Sequence, residues 1–279
     1  MSNTIRYLIF LPLITSFCTS KQTSTSDPGS ISRVIMKYKS IAEIPTPRGF
    51  QRITMDKNSF GEWLRSVKLK EDPNVHLYNG KLKADQTVQF AVLDIPIGNK
   101  DLQQCADAIM RLKAEYFFSR NEIDSIHFRA TDGTILNFGH WLKGERYRLK
   151  GLGLSSYFIH PSHEDQRHQL EQFLEMVFIY CGTLSLEKET HNVDLSSIQP
   201  GDVLVKGGCP GHAMIVADAA INRKGEKVFM LAQSYMPAQD IHIVKNWLDN
   251  EFSPWYKVTS DRKFITPEWI FNRDQLKRW

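Results

Sequence analysis

Between Gln199 and Asp218 the chain reads Gln-Pro-Gly-Asp-Val-Leu-Val-Lys-Gly-Gly-Cys-Pro-Gly-His-Ala-Met-Ile-Val-Ala-Asp, and no other stretch restricts the fold as strongly. Val203 to Val205 and Ala213 to Val216 are short apolar runs bounded by turn residues, the pattern of buried strands rather than helices. The loop Gly207-Gly-Cys-Pro-Gly211 joins them and delivers a polar residue, His212, to the start of the second strand. Asp202, in Pro-Gly-Asp, fits a role in fixing the turn before the first strand. An imidazole in this setting has two readings, a general base at the rim of a cleft or a strand-edge histidine hydrogen-bonded to backbone.

The rest of the chain supplies enough apolar material for a large core, since 42% of its 279 residues are hydrophobic. The formal net charge of +4 is spread among interleaved acids and bases, with no concentrated basic patch, which argues against a nucleic-acid partner. At the N-terminus, Arg6 precedes the apolar run Tyr7 to Ile14, which is too short for a membrane span and has the layout of an export signal. Thr15-Ser-Phe-Cys18 and the polar tract after it resemble a bacterial lipoprotein signal, in which the cysteine carries the lipid, although Phe17 stands where a small residue is usual. That resemblance implies a signal peptide over residues 1–17, a lipid on Cys18, a Ser/Thr-rich tether over 18–33 and one globular domain over 34–279. The protein would then be exported and anchored to the cell membrane or outer membrane, facing the periplasm or the exterior, with the membrane as a partner through Cys18.

Along the globular part, Ser59-Phe-Gly-Glu62 has the form of a capping box opening a helix from Phe60 to Val67. Val75 to Tyr78, the turn Asn79-Gly80 and Val88 to Ile95 suggest a hairpin. Asn99 can cap a helix over Lys100–Phe118, with Leu102, Cys105, Ala106, Ile109 and Leu112 on one face. Ile123 to Arg129, Thr134 to Phe138 and Tyr147 to Leu149 read as short strands, with His140 to Lys143 in a loop. A third helix starts near Ser162 and Asp165 and ends at Gly182. Beyond the His212 strand, Val228 to Ala232 and Ile241 to Val244 read as strands, and the part holding Trp247, Trp255, Trp269 and Trp279 as loops with a short helix. The class is α+β, a mostly antiparallel central sheet packed by two or three helices.

Asn99 to Tyr116, Ile179 to Leu186, Gly207 to Val216, Leu231 to His242 and Ser253 to Tyr256 together resemble an uncharacterised family of exported bacterial lipoproteins, the domain of unknown function 4846. In that family serine commonly stands at the position of Cys209, which implies that Cys209 is not a shared nucleophile. The Pro-Gly-Asp strand followed by a histidine strand is also distantly similar to papain-like cysteine hydrolases, including NlpC-type cell-wall peptidases, and that likeness implies a papain-like or NlpC-like core.

Cysteine hydrolases need a thiol near a histidine whose ring is oriented by a third polar group. Cys181 continues the apolar stripe of its helix at the carboxyl end and reads as a buried thiol. Cys209 is too close in the chain to His212 to face it from a separate element. Cys105 lies in the early part of a helix, an end that favours thiolate, and the order Cys105, His212, Gln233 matches the papain-like arrangement of nucleophile, base and orienting residue. Gln104 or Asn99 then offers an oxyanion-hole amide, and Ser234 and Tyr235 complete the substrate contacts. The competing reading of Cys105 is a small core residue beside Leu102 and Ile109, placed in the second turn of a helix that begins at Lys100.

No cofactor is implied, and Cys209-Pro-Gly-His212 lacks the second ligand pair that a structural metal would need. Arg111 and Glu115, at i and i+4, read as an exposed pair. Two functions remain open: a cysteine amidase or peptidase acting on peptidoglycan or envelope peptides, and a non-catalytic envelope lipoprotein that binds a polymer or protein through the same cleft.

Overall fold

The computed structural model describes residues 37–279, so Cys18, the signal and the tether lie outside the described residues. Among the described residues no helix is long and apolar enough to cross a membrane. The expected α+β class is what the chain adopts. Seven strands follow one another in the central sheet in the order Gln89–Val92, His242–Val244, Lys227–Gln233, His212–Asn222, Val203–Lys206, Leu276–Arg278, His191–Asn192, all antiparallel. Phe50–Arg52 pairs antiparallel with the far end of the His212 strand and Trp255–Lys257 pairs with Lys227–Gln233.

The His212 strand lies mid-sheet and is buried along its first nine residues, because both faces of the sheet are covered. Successive side chains alternate between faces. Ala213, Ile215 and Ala217 join the larger core, which takes in Ile109 and Leu112 from the helix Cys105–Ser119 and Phe173 and Val177 from the helix Gln166–Tyr180. Met214 and Val216 face the other way, onto Phe264, Phe271 and Leu276. Phe173 and Phe271 are fully enclosed, and each such side chain contributes about 1.5–3 kcal/mol through removal from water.

Caps were the readable boundaries. Ser59 Oγ accepts the Glu62 N–H at 3.2 Å to open the helix Phe60–Ser66, and Asp165 accepts the His168 N–H at 3.0 Å to open Gln166–Tyr180.

Several expectations are corrected. The helix expected from Lys100 begins at Cys105, with Gln104 as its cap residue in an extended conformation. Asp107 turns back to accept the Gln104 N–H at 3.0 Å, and Asp101 is committed to the Ala238 N–H at 2.7 Å, which holds the preceding residues out of the helix. Val88 to Ile95 does not pair with Val75 to Tyr78. Its strand pairs with His242–Val244, while Asn79-Gly80 closes only a small loop. Phe138–Leu142 is a helix, started by Asn137 accepting the His140 N–H at 3.0 Å. Directly after Gly182 a further helix forms, Thr183–Glu189. The C-terminal part is built from short strands, including the hairpin Lys263–Ile265 with Ile270–Asn272. Arg111 is not in an exposed pair. It is only 2% exposed, bonds Glu171 in fork geometry at 2.6 and 2.8 Å, and reaches Glu115 at 3.2 Å and Gln103 Oε1 at 2.9 Å.

Candidate functional site

A cleft of about 650 Å³ opens where the first turn of the Cys105 helix meets the start of the His212 strand, and both residues line it. Cys105 occupies the first position of its helix, where backbone N–H groups have no intrahelical acceptor. Its own N–H and those of Ala106 and Ala213 approach the sulfur and favour the thiolate. Ala213 follows His212, so the thiol lies against the backbone that carries the imidazole. Burial is the larger effect, reinforced by the Asp107 charge, and it pushes the Cys105 thiol up to about 11.

His212 is 1% exposed and is held by Gln233 on the adjacent strand, Nε2 to Oε1 at 2.8 Å. Burial pushes its pKa down to about 4, more than the Gln233 bond raises it. Aromatic rings pack around the imidazole: Tyr235 at 4.9 Å, Trp269 at 5.2 Å and Phe271 at 5.9 Å between centroids. At neutral pH the thiol and imidazole are therefore both uncharged at rest.

The residues expected to contact substrate divide. Gln104 and Tyr235 line the cleft with Cys105. Asn99 does not, because the helix starts later than expected and leaves it on a separate hollow with Lys100 and Arg167. Ser234 is fully buried and its hydroxyl lies 3.2 Å from the Gln103 carbonyl and 2.8 Å from that of Gln239. It clips the turn before Cys105 to the strand end that carries Gln233, so it positions the site instead of meeting a ligand. Cys181 and Cys209 line the same cleft, Cys181 half-buried with its thiol pushed up by burial and Cys209 exposed.

Sequence reasoning missed Trp269, Glu268 and Asp107. Trp269 forms one wall of the cleft from the turn of the C-terminal hairpin, and no periodicity marked that segment. Asp107 is 7% exposed, and with Oδ1 unpartnered its carboxyl is pushed up to about 8 by burial. No sequence signal marks it, because Gln104-Cys-Ala-Asp107 does not have the form of a capping box. Among the described residues no cluster of three His, Cys, Asp or Glu side chains is arranged to hold a metal ion.

Residues 41–278 match the family model described as a domain of unknown function (4846). The chain belongs to that family. No curated protein and no solved structure matches it.

Proposed function

We propose that this protein of the 4846 family is a cysteine hydrolase with a papain-like or NlpC-like core, cleaving an amide bond in an envelope peptide such as those of peptidoglycan. The observation that carries the reading is the meeting, in one cleft, of a thiol at a helix N-terminus and an imidazole whose Nε2 is held 2.8 Å from the Gln233 oxygen. In this scheme His212 Nδ1 accepts the Cys105 proton as the sulfur attacks the carbonyl carbon. The first-turn N–H groups and the Gln104 amide receive the developing oxyanion. The C–N bond breaks as His212 returns the proton to the leaving amine. A water, deprotonated by His212, then cleaves the thioester and restores acid product and thiol. Because both groups are neutral at rest, thiolate forms only together with substrate attack.

That same neutrality favours the second reading, a non-catalytic cleft that binds an envelope polymer or partner protein. Incubating the purified chain with peptidoglycan peptides separates the two. Release of a new amino group by wild type and its loss in Cys105→Ala is expected. Equal release by both, or binding without release, would sink the hydrolase.

Export and lipid anchoring belong to the same proposal, supported by Arg6, the apolar run Tyr7 to Ile14 and Cys18. Mass spectrometry of the membrane fraction tests it, with a diacylated Cys18 as the expected first residue and an unmodified residue 18 as the contrary result.

A further inference from the structure

The Gln233 amide is held from behind by groups that the catalytic scheme does not use. Its nitrogen lies 2.6 Å from Glu268 Oε2 and 3.3 Å from His242 Nε2. Glu268 Oε1 is in turn 2.6 Å from Lys83 Nζ, so a paired carboxylate faces the amide. His242 is fully buried, and its Nδ1 stands 2.9 Å from the Asp240 carbonyl. A carbonyl only accepts, so that nitrogen carries the hydrogen and Nε2 is left with its lone pair toward Gln233. Burial pushes His242 down to about 3, which keeps it neutral in this role. Both amide hydrogens of Gln233 are thereby committed to acceptors.

A flipped amide would set its oxygen against the Glu268 carboxylate and against the His242 lone pair, two repulsive contacts in a buried place. The oxygen must therefore face His212. Since that oxygen can only accept, the hydrogen of the neutral His212 ring sits on Nε2 and the free lone pair on Nδ1.

We propose that Glu268 and His242 are positioning residues that fix the Gln233 amide and, through it, the His212 tautomer able to take a proton from the cleft. The inference rests on the hydrolase reading only for its consequence, and the tautomer is a property of the free protein. Glu268 belongs to the same hairpin turn as Trp269, so one segment supplies both the clamp and the ring that shields the His212–Gln233 bond.

The experiment is ¹⁵N NMR of the histidine rings in the full chain, with the iodoacetamide alkylation rate of Cys105 measured on the same samples. Wild type is expected to show His212 with hydrogen on Nε2. Glu268→Leu should move the tautomer ratio at least about tenfold toward Nδ1–H, the effect of removing one charge-assisted acceptor, and slow alkylation in parallel. Glu268→Gln, which keeps an acceptor oxygen, should stay near wild type. Hydrogen on Nδ1 in wild type, or a ratio unmoved in Glu268→Leu, overturns the clamp. If Glu268→Leu does not fold, the wild-type tautomer alone decides. A tautomer that responds while Cys105 stays inert in wild type refutes the hydrolase and leaves the clamp standing.

Discussion

His212 Nε2 and Gln233 Oε1 lie 2.8 Å apart across adjacent strands, both side chains almost fully buried. Gln233→Leu removes that acceptor and also strips Glu268 and His242 of their donor. Unpaired buried polar groups cost about 1–3 kcal/mol each. The expected result is a lower melting temperature together with slower Cys105 alkylation. Retention of the full wild-type alkylation rate in a folded Gln233→Leu protein would show that the pair does not serve the thiol.

Cys105 gives a distinct pH signature. Its thiol is pushed up to about 11, so below that value the thiolate fraction rises about tenfold per pH unit. Cys105 alkylation, followed by peptide mapping to separate it from Cys181 and Cys209, should climb through pH 7 to 10 without a plateau. A rate that levels off near neutrality would instead indicate a resting thiolate and imidazolium pair.

Asp107 tests the burial argument independently. Its folded-state carboxyl is raised to about 8 from a reference of 3.8. The unfolded chain therefore ionises first, and the stability that Asp107 contributes is complete below about pH 4 and drains away as pH rises toward 8. Asp107→Asn keeps an acceptor for the Gln104 N–H and cannot ionise. The melting temperature of Asp107→Asn relative to wild type should thus increase between pH 4 and 8, and a constant or falling difference would contradict the assignment.

Much of this site was legible in the chain because it depends on local signals. Gly-Gly-Cys-Pro-Gly ahead of His212 marks a tight loop entering a strand, and the order thiol, imidazole, amide follows from three separate segments each with its own period. The start of the Cys105 helix differs from the sequence expectation because Asn99 is a residue type favoured at caps and Gln104 is not. The choice was made by contacts distant in sequence, from Asp101 to Ala238 and from Ser234 to the Gln103 carbonyl. Pairing of Gln89–Val92 with His242–Val244 was invisible for the same reason, since a strand carries no mark of a remote partner. Glu268 and Trp269 sit between strands of three residues each, too short for any alternation to show.

Arg111 links the charged network to the turn before Cys105. Its Nε donates to Oε1 of Gln103, two residues before Cys105 in the chain, at 2.9 Å, and the Gln103 carbonyl accepts from Ser234. Arg111→Ala leaves Glu171 and Glu115 short of a buried partner, although Arg167 still bonds both. Removing one partner of a fully buried pair costs about 3–5 kcal/mol, and with Arg167 still on both carboxylates the loss falls below that range. Arg111→Lys should not rescue it, because an ammonium cannot serve the Glu171 fork and Gln103 at once. Chemical denaturation of the two variants is the check, and a lysine variant as stable as wild type would refute the fork as the essential feature.

Gly211 immediately precedes His212 and sets how the loop enters the strand. A Cβ there would come within 2.3 Å of the Gly208 carbonyl oxygen, 2.6 Å of Thr183 Oγ1 and 2.8 Å of the Lys206 carbonyl oxygen. Two of those atoms are backbone, so the loop itself must move. Overpacking of this kind costs about 1–3 kcal/mol. The displacement falls on the residue beside His212, and under the proposed scheme a small misplacement there costs far more in reactivity than in stability. Gly208→Ala is the control: no atom lies within 4 Å of its added Cβ, but its φ of +99° imposes strain of its own. Both variants should lose some melting temperature, and Gly211→Ala alone should lose most of its Cys105 alkylation rate. Comparable loss of alkylation in Gly208→Ala would assign the effect to general loosening of the loop rather than to the placement of His212.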